Sequence, residues 1–330
     1  MGNKIKIGQI GLAHAHGEGK MLAVRKFPKL FEVVGICEEN EEVYAKRSTL
    51  EAYSGLKRMS EEELLSKVDA VLVECSPKQL TQTARRCIEA GKHIHLDKPT
   101  TGSVEEYTNI INTARENNLV VQLGYMYRYN PAIMKSFEMI KNGEIGSIHT
   151  IHAEMSTHHY ENSKKAMSTY KGGTMFIMGS HLIDLVVYLL GEPQNVTSFF
   201  KHTGYDGIDF EDNNLAVLEY DKAIARIYAS SVEVNGWGRR QFVVCGETGT
   251  ISILPIENDV AMTLSDLNIA TSHYADMKEK IDVADIPKDS RYDTMVQDFA
   301  AYIKGELENP FTYDHEIAVH KVLTQVCGEN

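Results

Sequence analysis

Five short apolar runs, separated by stretches of helical periodicity, constrain what the first third of this 330-residue chain can fold into. They read Ile5 to Ile10, Glu32 to Cys37, Ala70 to Glu74, His93 to Leu96 and Val120 to Leu123. Each is mostly apolar rather than alternating, as strands covered by helices on both faces should be. Helices are expected between them at Met21 to Phe27, Glu41 to Tyr53, Gln79 to Ala90 and Val104 to Asn117, with Gly91 ending the third and Ser103 capping the fourth. Strands joined by such crossovers run parallel, so residues 1–124 are expected to form a doubly wound α/β domain.

After Gly124 the texture changes. Asn130-Pro131 opens a helix through Ile140 that Asn142-Gly143 ends, and longer alternating runs follow at His149 to Met155, Val196 to His202, Leu215 to Tyr220, Ala223 to Ser231 and Phe242 to Cys245. The segments Tyr220 to Ala223 and Gly246 to Gly249 read as hairpin turns between antiparallel strands. One helix, Phe176 to Leu190, interrupts the strands, and helices near Tyr292 to Lys304 and His315 to Val326 close the chain. Residues 125–330 are therefore expected to form an α+β domain with a large open, mainly antiparallel sheet, its C-terminal helices free to pack back on the first domain. With no repeat or long linker between the two, a ligand between domains is the natural expectation.

Composition narrows the partners. Against 46 Asp and Glu stand 34 Lys and Arg, a formal net charge of -12, and the densest basic clusters are the pairs Arg85-Arg86, Lys164-Lys165 and Arg239-Arg240. Neither nucleic acid nor an anionic membrane surface is expected as a partner. Cys37, Cys75, Cys87, Cys245 and Cys327 are odd in number and far apart, which argues against a disulfide framework or a zinc knuckle. The longest apolar stretch, Leu185 to Leu190, is far short of the roughly 20 residues a membrane span needs, and the chain starts without a signal-peptide pattern. A cytoplasmic setting is expected.

The turn after the first strand reads Gly8-Gln9-Ile10-Gly11-Leu12-Ala13-His14-Ala15-His16-Gly17. A dinucleotide fingerprint asks for three glycines there: one for the tight turn, one for close approach to the pyrophosphate, one where helix meets strand. Only Gly11 is clearly present; Ala13 and His16 stand at the other two positions, and an ordinary glycine-bearing turn would look similar. Glu38 strengthens the nucleotide reading, because it closes the second strand, where an acid accepts hydrogen bonds from ribose hydroxyls. With Glu39 beside it and no arginine before Arg47, a 2′-phosphate would be repelled, so NAD is favoured over NADP. His14 and His16 lie two apart on an expected helix and so point to different sides, with no carboxylate or thiol at ligand spacing. No metal is expected there.

The segment Glu89-Ala90-Gly91-Lys92-His93-Ile94-His95-Leu96-Asp97-Lys98-Pro99 resembles the AGKHV…EKP signature of the glucose-fructose oxidoreductase, inositol dehydrogenase and MocA family. Further matches follow in order. Cys75-Ser76-Pro77 resembles the family's turn after the third strand, Gly124 to Pro131 its GFxxRFxP crossover, and Gly172 to Asp184 its GGG…DxGxHxxD helix; Gly246 to Thr250 and the helix of Phe299 complete the pattern. The resemblance implies a Rossmann domain followed by a domain whose open sheet mediates homodimers or homotetramers, and NAD(P)-dependent oxidation or reduction of sugars, polyols and related carbohydrates. It also implies a cofactor site at Gly11, Leu12, Ala13, His14, Ala15, His16, Glu38, Ser76, Pro77, Asp97 and Lys98.

Taking hydride from a carbinol carbon requires a base for the hydroxyl proton and a cation near the developing alkoxide. The resemblance implies His181 and Lys98 for these roles, and burial after a core strand tends to lower a lysine pKa. Asp184, three residues after His181 on the same helical face, is a third catalytic candidate, either orienting the imidazole or binding a substrate hydroxyl, with a structural salt bridge as the alternative. Tyr125 and Arg128 are expected to line the substrate pocket with Lys98, His181 and Asp184. Two departures matter: Ile177 stands where the family usually has an Asp that completes the Lys-Asp-His set, and Thr81 stands where many members carry a His. Asp97 is a milder one, replacing the usual Glu, and the Lys98-Pro99 bond is expected to be cis. The reading is thus an NAD-dependent dehydrogenase or reductase acting on CH-OH groups of a sugar, sugar acid or cyclic polyol. Two alternatives stay open: a non-catalytic NAD-binding regulator, because the family includes a repressor that uses the fold for protein interaction, and an NAD-dependent glycosidase or lyase acting through transient sugar oxidation.

Overall fold

The computed structural model describes residues 4–14, 16–269, 278–284 and 290–328. The first unit alternates strand and helix: β1 (Ile5–Ile10), α1 (Gly17–Lys26), β2 (Phe31–Cys37), α2 (Glu41–Arg47), α3 (Glu61–Leu65), β3 (Ala70–Val73), α4 (Pro77–Glu89), β4 (His93–Leu96), α5 (Val104–Glu116) and β5 (Val121–Leu123). All five strands are parallel, in the order β2-β1-β3-β4-β5. The order reverses at β1, so the crevice beyond the carboxyl ends of β1 and β3 is where such a sheet receives a ligand. Ser103 caps α5 by accepting from the Glu106 amide, and Gly91 takes a positive φ after α4, as the sequence predicts.

Two expectations shift. Helix α1 begins at Gly17, a turn earlier than the apolar periodicity indicates. Glycine is a poor helix former, but a Cβ at Gly17 would lie 2.9 Å from the Gln9 amide and 3.0 Å from Glu74, so only a bare backbone lets the helix settle on the strands. The helix expected over Glu41 to Tyr53 stops at Arg47 and resumes as a 3₁₀ turn, Glu51–Tyr53. That break turns Tyr53 inward, where its hydroxyl meets Gln9 at 3.0 Å.

The second unit contains α6 (Pro131–Lys141), β6 (Ile148–Glu154), α7 (Glu161–Met167), α8 (Ser180–Leu190), β7 (Asn195–Lys201), β8 (Asn213–Glu219), β9 (Ile224–Ser230), β10 (Gln241–Gly246), β11 (Gly249–Ile253), β12 (Met262–Asp266) and β13 (Lys278–Ile281). These strands form an eight-stranded sheet in the order β13-β12-β11-β10-β6-β9-β8-β7. Every neighbour pair is antiparallel except β6 and β9, which run parallel. Both hairpin turns read from the sequence are present, joining β8 to β9 and β10 to β11. Alternation gives the sheet two unlike faces: Ile151, Ala216, Ile227 and Val244 are fully buried, while His152, Val217, Arg226 and Val243 between them reach solvent.

Helices α9 (Asp293–Lys304) and α10 (Tyr313–Cys327) end the described chain. By compactness the chain divides into Met1–Met126 with Pro287–His320, and Tyr127–Ile286 with Lys321–Asn330. Helix α9 thus belongs with the parallel sheet, where Val296, Phe299 and Ala300 join a core of Ile7, Leu12, Met21 and Leu72, and the division falls within α10.

Candidate functional site

In the first unit the turn after β1 is built around Gly11. Its φ is +86°, and a Cβ there would lie 2.5 Å from the backbone N and Cα of Cys75, so no other residue fits. A cleft of about 520 Å³ opens beside it, lined by Gly11, Ala13, Glu38, Ser76, Gln79 and Arg86 among others. Glu38 closes β2 as expected: its carboxylate accepts from the Leu12 amide at 2.8 Å and the Asn40 amide at 2.9 Å, tying the strand end to the glycine turn. Pro77 is the first residue of α4, and the Ser76 hydroxyl donates to Gln79. The positions Gln79, Thr83 and Arg86 follow helical spacing from that start, a stripe visible in the sequence that the reading passed over. Arg86 is held by two bonds to Glu61. Ala15 lies outside the described residues.

Below the turn a charged cluster is sealed in the interior. Lys20 is wholly buried, with Nζ 2.9 Å from Glu74 and 3.2 Å from Asp97, both equally buried. Asp97 Oδ1 also accepts from the Lys98 amide at 2.8 Å. Its other oxygen, Oδ2, lies against Nδ1 of His14 and 3.4 Å from Nδ1 of His16. This corrects the expectation that the two histidines diverge with no carboxylate at hand. Helix α1 starts only at Gly17, so both precede it, and the carboxylate arrives from the end of β4 rather than from nearby sequence. Gly124 permits the arrangement, because a Cβ there would sit 2.8 Å from Lys20 Nζ and 2.9 Å from Asp97 Oδ1.

The charges in this cluster set one another. Burial would raise the Asp97 pKa, but the Lys20 ammonium first, then His14 and His16, overcome it and hold the carboxyl well below the usual range. Glu74 goes the other way, raised well above the usual value by burial and by the Asp97 charge. Lys20 is raised because Asp97 and Glu74 outweigh its burial. Burial lowers His16 to about 4 despite Asp97, so it is neutral at pH 7. The adjoining Lys98 is itself buried, and its bond to Pro99 is cis, as expected from the sequence. Thr81 is buried and donates to the Thr101 carbonyl, and Tyr125 is buried at the end of this unit's first segment.

In the second unit His181 lies on the first turn of α8, buried, with its ring centroid 5.3 Å from that of Tyr127. The helix expected from Phe176 begins as a π turn, Met175–Gly179, which carries Ile177, and becomes α-helical at Ser180. Such bulges recur at functional sites, and this one shifts the face on which residues before His181 emerge. Asp184 and Arg128, both fully buried, are brought together: Arg128 donates through Nε at 3.0 Å and through Nη2 at 2.6 Å. The two-point grip sets the orientation of the Asp184 carboxylate. Met175, Phe176, Leu182, Leu185 and Val186 form the buried face anticipated for this helix; Met178 is only half-buried.

Residues the sequence reading missed surround Tyr127. Arg240 is buried, stacks 3.9 Å over the Trp237 ring, and donates to Glu257 at 2.9 Å, to Tyr127 Oη at 3.3 Å and to the Ser156 carbonyl. Burial and then Glu257 raise the Tyr127 pKa. His159 is lowered to about 4, by burial first and then by Arg240 and Lys164. An arginine in a hairpin-rich stretch carries no periodic signal, so sequence alone gave no reason to single out Arg240.

A glycine turn at the reversal point of a parallel sheet, with an acid closing the second strand, defines a dinucleotide-binding protein of the doubly wound class. Residues 5–125 match the oxidoreductase family NAD-binding Rossmann fold, and residues 133–252 match the GFO/IDH/MocA C-terminal domain. The chain belongs to the GFO/IDH/MocA family of oxidoreductases. Among its relatives, inositol 2-dehydrogenase 2 of Saccharopolyspora erythraea is 29% identical over 201 residues, 58% of this chain and 56% of that protein. The scyllo-inositol 2-dehydrogenase (NADP(+)) IolW of Bacillus subtilis is 26% identical over 44% of this chain and 41% of its own length. The chain spans 53% of YrbE and 63% of C115.03, two uncharacterized oxidoreductases. Levoglucosan dehydrogenase, solved in complex with NADH and levoglucosan, shares the fold with a TM-score of 0.84 at 18% identity, over 99% of this chain and 97% of that one. No described helix is long and apolar enough to cross a membrane.

Proposed function

We propose that this protein is an NAD-dependent dehydrogenase or reductase that moves a hydride between nicotinamide and a hydroxyl-bearing or keto carbon of a sugar, sugar acid or cyclic polyol. The observation that carries the proposal is Lys98: a buried lysine at the carboxyl end of the parallel sheet, its backbone amide pinned by Asp97, one unit with the Gly11 turn and the Glu38 carboxylate. The turn fits a dinucleotide because Gly11 leaves the space a side chain would fill, at the point where the chain passes from β1 toward the start of α1. Gly11 to His16 would hold the pyrophosphate, Glu38 the adenosine ribose hydroxyls, and Ser76 and Pro77 the adjoining wall. Beside the Glu38 carboxylate a 2′-phosphate meets like charge, which supports NAD over NADP. When bound, the nicotinamide supplies the hydride acceptor or donor.

The chain's own residues do the rest. Lys98 steadies the negative charge that develops on the reacting oxygen, and His181 takes or returns the hydroxyl proton. Arg128 and Asp184 act as a pair that fixes the helix carrying His181, while Tyr125 shapes the substrate side and Asp97 fixes Lys98 through its amide. The half-exposed face of the eight-stranded sheet supports assembly as a homodimer or homotetramer, and the cysteine usage and acidic balance support a cytoplasmic setting. A second reading has one observation in its favour: Ile177 occupies the π turn and Asp184 is engaged by Arg128, so a non-catalytic NAD-binding regulator remains the competitor. NADH formation over a panel of sugars, sugar acids and inositols decides between them. Turnover that disappears in Lys98→Met while NAD binding persists supports the enzyme; NAD binding without turnover across the panel supports the regulator.

A further inference from the structure

The cluster under the glycine turn has a feature that hydride transfer does not use. His14, His16 and Asp97 each present one ligand atom, and the three lie within 4.8 Å of one another. The geometry points to a site for a borderline divalent transition ion, of the Zn²⁺, Co²⁺ or Ni²⁺ class, bound by Nδ1 of His14, Nδ1 of His16 and Oδ2 of Asp97.

The two oxygens of Asp97 are treated differently. Oδ1 accepts from the Lys98 amide at 2.8 Å and faces Lys20 at 3.2 Å, so its bonding is accounted for. Oδ2 is sealed from solvent and lies beside the two imidazoles, neither of them in good hydrogen-bond geometry. A buried carboxylate oxygen left in that state is costly unless something else neutralises it. Ions of this class bind nitrogen and oxygen at about 2.0–2.2 Å, which sets tetrahedral ligand atoms about 3.4 Å apart. The Asp97 Oδ2 to His16 Nδ1 separation is 3.4 Å, whereas His14 Nδ1 stands closer to the same oxygen and its ring has to swing back for an ion to enter. The His14 ring stands edge-on to that of His16, with centroids 4.6 Å apart, and each has Nδ1 as its atom nearest the Asp97 carboxylate oxygen.

Outer contacts hold the donors in place as they do in metal sites. The Lys98 amide and Lys20 fix which Asp97 oxygen faces the rings, and Gly124 keeps that corner clear of a side chain. Access is available from the outer side, because the His16 side chain is 35% exposed. Two imidazoles and one carboxylate select against Mg²⁺ and Ca²⁺, which prefer oxygen, and leave a fourth position for water. The site shares these three residues with the proposed cofactor turn, but the proposed hydride transfer uses none of the three ligand atoms.

The test uses the full chain, stripped with chelator and then titrated with Zn²⁺ by calorimetry and with Co²⁺ by visible absorption. One ion per chain is expected at micromolar metal, with a d-d band of a nitrogen and oxygen site and no thiolate charge-transfer band. His14→Ala and His16→Ala should each weaken binding by more than about tenfold. Asp97→Asn should do the same, but it also leaves Lys20 short of a partner, so His16→Ala, at a partly exposed position, carries the result if that variant fails to fold. Three outcomes overturn the proposal: no stoichiometric binding at micromolar metal, wild-type affinity in both histidine variants, or a thiolate band placing the ion at a cysteine.

Discussion

The two units each bury charge, and they do so on opposite plans. In the second unit the partners are matched: Arg128 grips Asp184, and Arg240 meets Glu257. In the first, a single ammonium, Lys20, serves two carboxylates, and the surplus carboxylate oxygen faces two histidines. A matched pair fixes geometry. An unmatched cluster at the open end of a parallel sheet keeps acceptors in reserve, and the candidate lysine, Lys98, hangs from it through the Asp97 carboxylate.

Removing the chemistry while sparing the scaffold should give the largest effect. Lys98→Met is expected to lower kcat by about 10²–10³-fold, the range for losing a group that stabilises a developing oxyanion, with NAD affinity retained. Steady-state rates alongside calorimetric NAD binding check this; a kcat within a factor of two of wild type would remove Lys98 from the mechanism.

The two plans then separate on stability. Lys20→Met strands a buried carboxylate and should cost about 3–5 kcal/mol in denaturant unfolding. Arg128→Met should cost a similar amount, but the double replacement Arg128→Met with Asp184→Leu should recover most of it, because a matched pair can be exchanged for apolar packing. No single apolar partner repairs Lys20→Met in the same way. If Asp97→Leu rescued it fully, the contrast between the units would collapse.

A smaller effect comes from His320 of the first unit, buried beneath Tyr107, its Nδ1 3.0 Å from Thr100 Oγ1 and its Nε2 3.2 Å from the Gly102 carbonyl. Burial lowers its pKa from 6.5 to about 4. The folded value lies below the unfolded one, so its contribution is fully present above pH 6.5 and is lost as pH falls toward 4. The loss should approach about 3 kcal/mol, and His320→Gln should flatten that part of the stability profile. Smallest of all, Glu38→Ala should weaken NAD about tenfold, the order of one charge-assisted hydrogen bond, and narrow the preference for NAD over NADP. Unchanged affinity for both cofactors would return Glu38 to its bonds with Leu12 and Asn40 alone.

Much of the molecule is legible without coordinates. All five parallel strands fall within a residue of where apolar runs place them, because a strand covered on both faces has a composition no surface segment shares. The caps at Ser103 and Gly91 and both hairpin turns are equally local, each written in a few adjacent residues. Legibility fails where chain propensity and packing disagree. Gly17 lies before the helix that periodicity places at Met21 yet starts it, since what it contributes is the absence of a Cβ against Gln9 and Glu74. The π turn before His181 is invisible to a 3.6-residue period, and it accommodates Gly179, whose Cβ would strike Met175 Sδ at 2.2 Å.

The sequence by itself determined the class of fold, the turn at Gly11, the acid at Glu38 and the run Asp97-Lys98-Pro99, since each depends on contacts along the chain or on a fixed motif. Tertiary structure alone decided what those residues face. It put Lys20 in the interior between Glu74 and Asp97, set Asp97 against His14 and His16, and closed Arg128 on Asp184. Periodicity says which side of an element is apolar; it says nothing about which buried charge will meet which. That pairing is settled by the crossing of strands and helices far apart in sequence, where leaving a charge unmet costs more than any local preference supplies.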